Sequence, residues 1–102
     1  MYIPLQSRAM SNERLTIGAA ASGLTLAKYR AQTPKGFHAN AAKISVSGAT
    51  LMMTEDGTTP TAIVGTPQYV GDVFYLNGYE AISKFKAIRA VGDATIDVVY
   101  YN

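Results

Sequence analysis

Apolar and polar residues alternate over short segments along most of the chain, which is the pattern of β-strands that bury one face. The segments are separated by residues that favour turns. They cover residues 15–17, 24–26, 44–46, 51–54, 61–64, 73–76 and 94–101. This spacing predicts an all-β fold, a small antiparallel β-sandwich or barrel of about seven short strands.

Six residues between these segments have the chemistry of structural turns: Asp56, Gly57, Pro60, Gly65, Asn77 and Gly78. The Asp-Gly and Asn-Gly dipeptides are typical of tight hairpins, because glycine adopts positive φ without steric cost. The proline fixes φ and cannot donate a ladder hydrogen bond just before segment 61–64. Gly65 is followed by a Thr-Pro pair and is expected to end that segment.

Residues 80–91 fit two structures. Ile82, Phe85 and Ile88 are three residues apart, which suits a helix, whereas Phe85 and Ala87 alternate with lysines, which suits a strand. Because turn signals lie on both sides, we favour a turn through residues 81–82 and a strand over about 84–90. The helix remains the alternative.

The first residues predict an extended N-terminal arm, 1–14, before a β-sandwich domain, 15–102. Proline, serine and asparagine interrupt any periodicity here, but four large apolar side chains are present: Tyr2, Ile3, Leu5 and Met10. A solvated tail rarely carries so many apolar groups. We therefore expect the arm to pack either against a neighbouring subunit or back on its own domain.

A long irregular segment, residues 28–40, has basic and aromatic residues but no acidic ones. These residues are Lys28, Tyr29, Arg30, Lys35 and Phe37. Such a set suits a single-stranded nucleic-acid platform or a surface that meets an acidic partner. The net charge of only +2 is too small for a nucleic-acid footprint, so we predict a protein interface formed by this loop and the arm, and no nucleic-acid partner.

Composition limits how such a domain is stabilised. The chain has 102 residues, 48% of them hydrophobic and only 16% charged, with no cysteine and one histidine. A domain of this size is marginally stable alone, and disulfides, thiolate metal sites and multi-histidine sites are excluded. We therefore expect a homo-oligomer or docking on a larger body. The absence of a long apolar run or of a signal-peptide pattern predicts no membrane partner and synthesis in a cytoplasm.

The sequence contains no recognisable catalytic group. His38 has no neighbouring acid or nucleophile, so it does not form a catalytic unit. The carboxylates Asp56 and Asp72 are next to glycines and are explained as turn residues. Glu55 and Glu80 do not complete a compact calcium loop with them. We predict no enzyme activity, no cofactor and no metal.

Two parts of the chain resemble a family of short tailed-bacteriophage proteins. The family pattern is Asp-Gly-Thr-x-Pro-Thr-x-x-x-Gly, then an Ile-Lys-Phe-Ile-type strand and a Val-x-Tyr-Tyr end. The matching residues here are Asp56, Gly57, Thr58, Pro60, Thr61, Gly65, Ile82, Phe85, Ile88, Val98, Tyr100 and Tyr101. Members of this family are encoded among virion structural genes. The resemblance runs from about Leu15 onward and implies a structural protein of the virion.

The resemblance and the residues together predict a non-enzymatic decoration or cement protein of a phage head. Its partners would be the major capsid protein, other virion proteins and further copies of itself. A neck, tail or baseplate component is the first alternative. A carbohydrate-binding β module is the second, because the chain has seven tyrosines, which sugar sites use for stacking.

Overall fold

The computed structural model describes residues 9–25, 29 and 39–102, without the side chain of Met10. Within this part of the chain there are seven strands and one short helix. In chain order they are β1 (Ala9–Ile17), β2 (Ala41–Ser47), β3 (Leu51–Thr54), β4 (Thr66–Gln68), β5 (Val73–Asn77), α1 (Tyr79–Lys84), β6 (Lys86–Arg89) and β7 (Ala94–Tyr101). The predicted small all-β antiparallel fold is confirmed.

The strands form two antiparallel sheets. The four-stranded sheet has the order β1-β7-β2-β5, and the three-stranded sheet has the order β4-β3-β6. The last strand, β7, therefore lies between the first strand and β2. In the register of the larger sheet, Ile44 of β2 lies opposite Val98 of β7 on one side and Phe74 of β5 on the other.

The alternation of β7 shows how the sequence places the core. Ala94, Ile96, Val98 and Tyr100 are fully buried, whereas the residues between them are half-buried on the opposite face of the sheet. β2 and β3 follow the same period of two. Each isoleucine or valine buried in this way contributes about 1.5–3 kcal/mol before the entropy of ordering it is subtracted.

Residues 80–91 combine the two structures that the sequence allowed. The turn predicted through residues 81–82 is wrong, because these residues lie in α1, and the following strand begins at Lys86 rather than at Lys84. The spacing of Ile82 and Phe85, both buried, brings them to the same side of the chain as it enters the core. Glu80 and Lys84 form an i,i+4 ion pair of 3.3 Å along the helix.

Asn77 and Gly78 do not form a hairpin. Asn77 ends β5, and Gly78 precedes α1 with φ of 98°. The Gly78 amide donates to the carbonyl of Asn40, 2.7 Å away, and so extends the pairing of β5 with β2 by one step. The positive φ therefore redirects the chain from strand to helix, which an Asn-Gly pair can do as well as closing a hairpin.

Two predicted strands are turns or irregular backbone. Residues 61–64 close on themselves: Thr61 and Val64 exchange backbone hydrogen bonds of 2.9 and 3.2 Å, and the Thr61 hydroxyl accepts from the Val64 amide at 3.0 Å. The strand follows at β4 and includes Pro67, which is tolerated at a sheet edge. Residues 24–25 belong to no strand, and Leu26 lies outside the described residues.

The first strand begins earlier than the sequence predicted. Residues 9–14 belong to β1 and pair with β7, so this half of the predicted arm is part of the sheet. The Arg14 guanidinium and the Asp97 carboxylate form a 2.7 Å ion pair across these two strands. Residues 1–8 lie outside the described residues. In the described part of the chain, no helix is long and apolar enough to cross a membrane.

Substitution of Gly65 tests how closely the backbone before β4 approaches β3. Its φ is 134°, and a Cβ placed on it would lie 3.0 Å from the Met53 carbonyl oxygen. We expect Gly65→Ala to lower the free energy of unfolding by about 2–4 kcal/mol, measured by urea denaturation, because backbone strain and a steric clash add.

Gly71→Ala is the matched control. Gly71 also has positive φ, 92°, but nothing lies within 4 Å of a Cβ placed there. Only the conformational cost of about 1–2 kcal/mol is expected. Equal losses in the two variants would contradict the close approach of Gly65 to β3.

Candidate docking surfaces

Most of the residues predicted to form a partner interface lie outside the described part of the chain. These are Tyr2, Ile3 and Leu5 of the arm and Lys28, Arg30, Lys35 and Phe37 of the basic loop. The backbone of Met10 lies in β1, next to β7, but its side chain is not described. Their role at an interface therefore stays a prediction.

Tyr29 is the exception, and its predicted surface role is wrong. Only 6% of the residue is exposed. Its ring packs edge-on against Tyr79 with centroids 5.8 Å apart, and tilted against Tyr100 at 6.0 Å. Its basic neighbours suggested an exposed aromatic residue, but a single apolar side chain among polar ones is also the pattern of a segment that buries one face. The three rings form a tyrosine cluster in which Tyr29 and Tyr100 are buried and Tyr79 is half-buried.

The cluster is connected to β1 through a carboxylate. The Tyr100 hydroxyl donates to Glu13 Oε2, and the same oxygen accepts a 3.2 Å hydrogen bond from the Thr25 amide. Burial, together with the bond to Glu13, raises the pKa of Tyr100 far above its ordinary value. This phenol therefore stays protonated at neutral pH and acts as a donor that holds β1, β7 and the segment at Thr25 together.

A shallow groove of about 320 Å³ lies at the end of the molecule where β5 meets α1. It is lined by Glu55, Asp56, Asn77, Glu80, Ala81 and Lys84. The Asp56 carboxylate accepts the Thr58 amide at 3.0 Å, and this bond is the main reason that its pKa is lowered. Lys84 is paired with Glu80. Of the groove charges, Asp56, Glu80 and Lys84 are thus engaged with their own chain, and Glu55 is exposed. The described residues contain no group of three or more His, Cys, Asp or Glu placed to hold a metal ion.

The residues predicted as turns surround this groove and the β3–β4 connection. Gly57 has φ of 92° directly after Asp56. The hydroxyl of Thr54 donates to the carbonyl of Thr58, which closes the loop. Pro60 is fully buried, and Gly65 packs against the backbone of β3. These residues shape the scaffold.

The opposite end of the molecule carries four exposed large apolar side chains, which we name the apolar end. They are Tyr69, Val70, Val73 and Val91, each more than half exposed. Two loops bring them to this end. The Gly71 amide donates to the Val46 carbonyl, and the Ala90 amide donates to the Thr50 carbonyl, so the loops flank the turn between β2 and β3.

Local sequence patterns do not single out these four residues as a contact surface. Tyr69 and Val70 are next to a Gly-Asp turn, where an apolar side chain has no strand to bury it. Val91 is next to a second Gly-Asp pair and is 90% exposed. A valine or tyrosine beside a turn dipeptide is the one sequence feature that indicates an exposed apolar side chain here. Two further exposed apolar side chains, Ile63 and Val64, lie apart from these in the β3–β4 connection. Four such groups at one end are typical of a surface that a partner covers.

The raised pKa of Tyr100 predicts a stability loss at alkaline pH. The folded state keeps the proton, whereas an unfolded tyrosine loses it near pH 10. The stabilisation is therefore complete below pH 10 and decreases above it, by up to about 1.4 kcal/mol per pH unit. In Tyr100→Phe we expect this part of the slope to disappear, with about 1–2 kcal/mol lost at neutral pH.

The measurement is urea unfolding of both proteins between pH 8 and 11. Ile96→Val is the control, because it shortens a fully buried side chain on the same face of β7. It should lower stability by about 0.5–1.5 kcal/mol at every pH and leave the slope unchanged. An unchanged alkaline slope in Tyr100→Phe would show that the phenol does not retain its proton.

Comparison with protein-family models, with curated proteins and with solved structures gives no match to this chain. The resemblance to tailed-phage proteins stays a prediction.

Proposed function

We propose that the protein is a non-enzymatic structural protein of a tailed-phage particle, most specifically a decoration or cement protein that docks on the head. The observation that carries the proposal is the apolar end, where Tyr69, Val70, Val73 and Val91 are exposed together. The partner that suits this role is the lattice of the major capsid protein. The resemblance to tailed-phage proteins supports the choice of particle.

The energetics favour attachment through these side chains. Complete burial of a valine contributes about 1.5–3 kcal/mol relative to full exposure. Val91 is 90% exposed and Val70 58% exposed, so most of this gain is still available to a partner. The loops that carry them are held by backbone hydrogen bonds of 2.9 and 3.2 Å to β2 and Thr50, so less ordering is needed on docking.

The described side chains also support a binding role over a catalytic one. In the groove, the Asp56 carboxylate is engaged in a turn and the Glu80 carboxylate in an ion pair. The phenol of Tyr100, whose pKa is raised, is buried and already donates to Glu13. A reaction needs a positioned nucleophile or base that a substrate can reach. The exposed apolar end is instead suited to contact with a partner surface.

Two alternative functions are a different position in the virion and the binding of carbohydrate. A neck, tail or baseplate component would use the same apolar end and differs only in copy number. A carbohydrate-binding module is less favoured, because two of the seven tyrosines, Tyr29 and Tyr100, are buried and pack against each other. Glycan-array binding would test that alternative directly.

Quantitative mass spectrometry of purified virions tests the proposal. We expect a copy number comparable to that of the major capsid subunit. A few copies per particle would assign the protein to the neck or tail. Complete absence from the particle would contradict both structural roles.

The apolar end can be tested by substitution. We expect Val70→Asp with Val91→Asp to reduce the copy number per virion by about tenfold or more, because two charges would be desolvated at the contact. Both side chains are exposed, so the free energy of unfolding should change by less than about 0.5 kcal/mol. Thr16→Asp, on an exposed site of β1, is the matched control; an equal effect of the two would exclude the apolar end as the contact.

The predicted arm needs a shorter deletion than its sequence boundary suggested, because β1 begins at Ala9. Deletion of residues 1–8 removes Tyr2, Ile3 and Leu5 and leaves the pairing of β1 with β7 intact. We expect weaker attachment to the particle and an unchanged circular dichroism spectrum. Loss of folding would mean that these residues stabilise their own domain instead of a neighbour.

A further inference from the structure

Each sheet has two edge strands, and the structure protects three of the four. An edge strand presents unpaired amides and carbonyls and readily pairs with another chain unless charge, proline, short length or a covering segment prevents it. β1 carries Glu13 and Arg14. β4 has only three residues and contains Pro67.

The third protected edge is β6. It carries a cation at each end, Lys86 and Arg89. It is also covered by an earlier segment of the chain: Ala87 and Ser22 exchange two backbone hydrogen bonds of 2.9 Å, and the Arg89 amide donates to the Gly18 carbonyl at 3.0 Å. Both outward backbone groups of Ala87 and the amide of Arg89 are therefore already satisfied.

Among the described residues, nothing gives the fourth edge, β5, any of these protections. Its sequence, Val-Phe-Tyr-Leu-Asn, contains no charge and no proline, and all five residues pair in regular register with β2. Val73 is 54% exposed at its beginning. In the part of the chain that the structure describes, no strand pairs with its other side.

The hydrogen bonds at both ends of β5 show which backbone groups face outward. The Val46 amide donates to the Asp72 carbonyl, and the Gly78 amide donates to the Asn40 carbonyl. Even-numbered residues are therefore the ones bonded to β2. Because bonding alternates along an antiparallel strand, the amides and carbonyls of Val73, Tyr75 and Asn77 point away from the sheet.

We propose that β5 pairs antiparallel with β5 of a second copy across a two-fold axis, which joins the two larger sheets into one sheet of eight strands. The outward-facing backbone groups are equally spaced on the two sides of Tyr75. They can therefore pair with the same groups of a second copy that runs in the opposite direction. Tyr75 would lie opposite Tyr75 of the second copy, and Val73 opposite Asn77 of the second copy. This register satisfies the outward groups with about six hydrogen bonds and opposes no like charges.

The second copy is favoured over an unrelated strand by this symmetry. Tyrosine pairs across neighbouring strands are stabilising, and Val73 would gain cover beside a neutral asparagine. A two-fold contact is the commonest way in which small domains associate. The inference goes beyond the virion proposal, because it concerns the purified protein in solution and holds whether or not a particle is involved.

Sedimentation equilibrium of the purified protein gives the first test. We expect a reversible dimer of the 10.9 kDa chain, and Tyr75→Lys should raise the dissociation constant about tenfold or more, because lysines would then meet across the axis. Thr16→Lys, on the protected edge strand β1, should leave the constant unchanged. A wild-type protein that stays monomeric up to about 1 mM, the limit of a weak specific contact, would overturn the proposal.

Disulfide trapping tests the register and does not depend on the lysine variant. The chain has no cysteine, so each introduced thiol is unique. Directly opposed residues of a hydrogen-bonded antiparallel pair have Cα atoms about 5.5 Å apart, which a disulfide can span. Mild oxidation should link Tyr75→Cys to itself. Val73→Cys should not link to itself but should link to Asn77→Cys when the two variants are mixed.

These outcomes separate a specific pairing from random collision. Val73 is more exposed than Tyr75, so chance encounters would favour Val73→Cys. Efficient self-linking of Val73→Cys, or the absence of linking in Tyr75→Cys, would overturn the proposed register. Circular dichroism of each variant checks that its β-sheet content is retained. The virion copy number is measured separately, so either proposal can fail without the other.

Discussion

The rest of the structure depends on the alternation along β7, the strand that pairs on both sides. Its even-numbered residues form one side of the core, and its odd-numbered residues face outward. A shift of one residue against β1 and β2 would expose Ile96 and Val98 and bury Asp97, which now pairs with Arg14. Because the cost would include both lost apolar burial and a buried charge, the register of the whole four-stranded sheet is fixed.

That register also determines what the surface offers. Because β2 pairs with β7, β5 lies at the edge of the sheet. The backbone amides and carbonyls of Val73, Tyr75 and Asn77 then point away from β2. The turn between β2 and β3 is placed between the two loops that carry the apolar end. Both candidate contact surfaces are therefore consequences of core packing, and neither requires a side chain that is itself strained or buried without a partner.

The sequence predicted strands where one face is consistently apolar, as over residues 44–46, 51–54, 73–76 and 94–101. It missed residues 9–14, because a strand that pairs at an edge through Ser, Asn, Glu and Arg has no apolar alternation. It overestimated residues 61–64, where a threonine hydroxyl closes a local turn. Tyr29 was assigned to the surface because the aromatic contacts that bury it come from Tyr79 and Tyr100, far away in sequence. The spacing of apolar residues within a short segment does not predict contacts between residues so far apart in the chain.

The two proposals together define a geometry. A two-fold axis that joins β5 to β5 is perpendicular to the sheet, so the two apolar ends would point in opposite directions along the strands. Both copies would present the same sheet face to the same side. A dimer that lies with its sheet along the capsid surface would then contact one capsid subunit with Val91 and its neighbours at one end, and a second subunit at the other. Such a bridge between neighbouring subunits is the mechanical role of a cement protein, and two linked contacts hold a particle together more strongly than either contact alone.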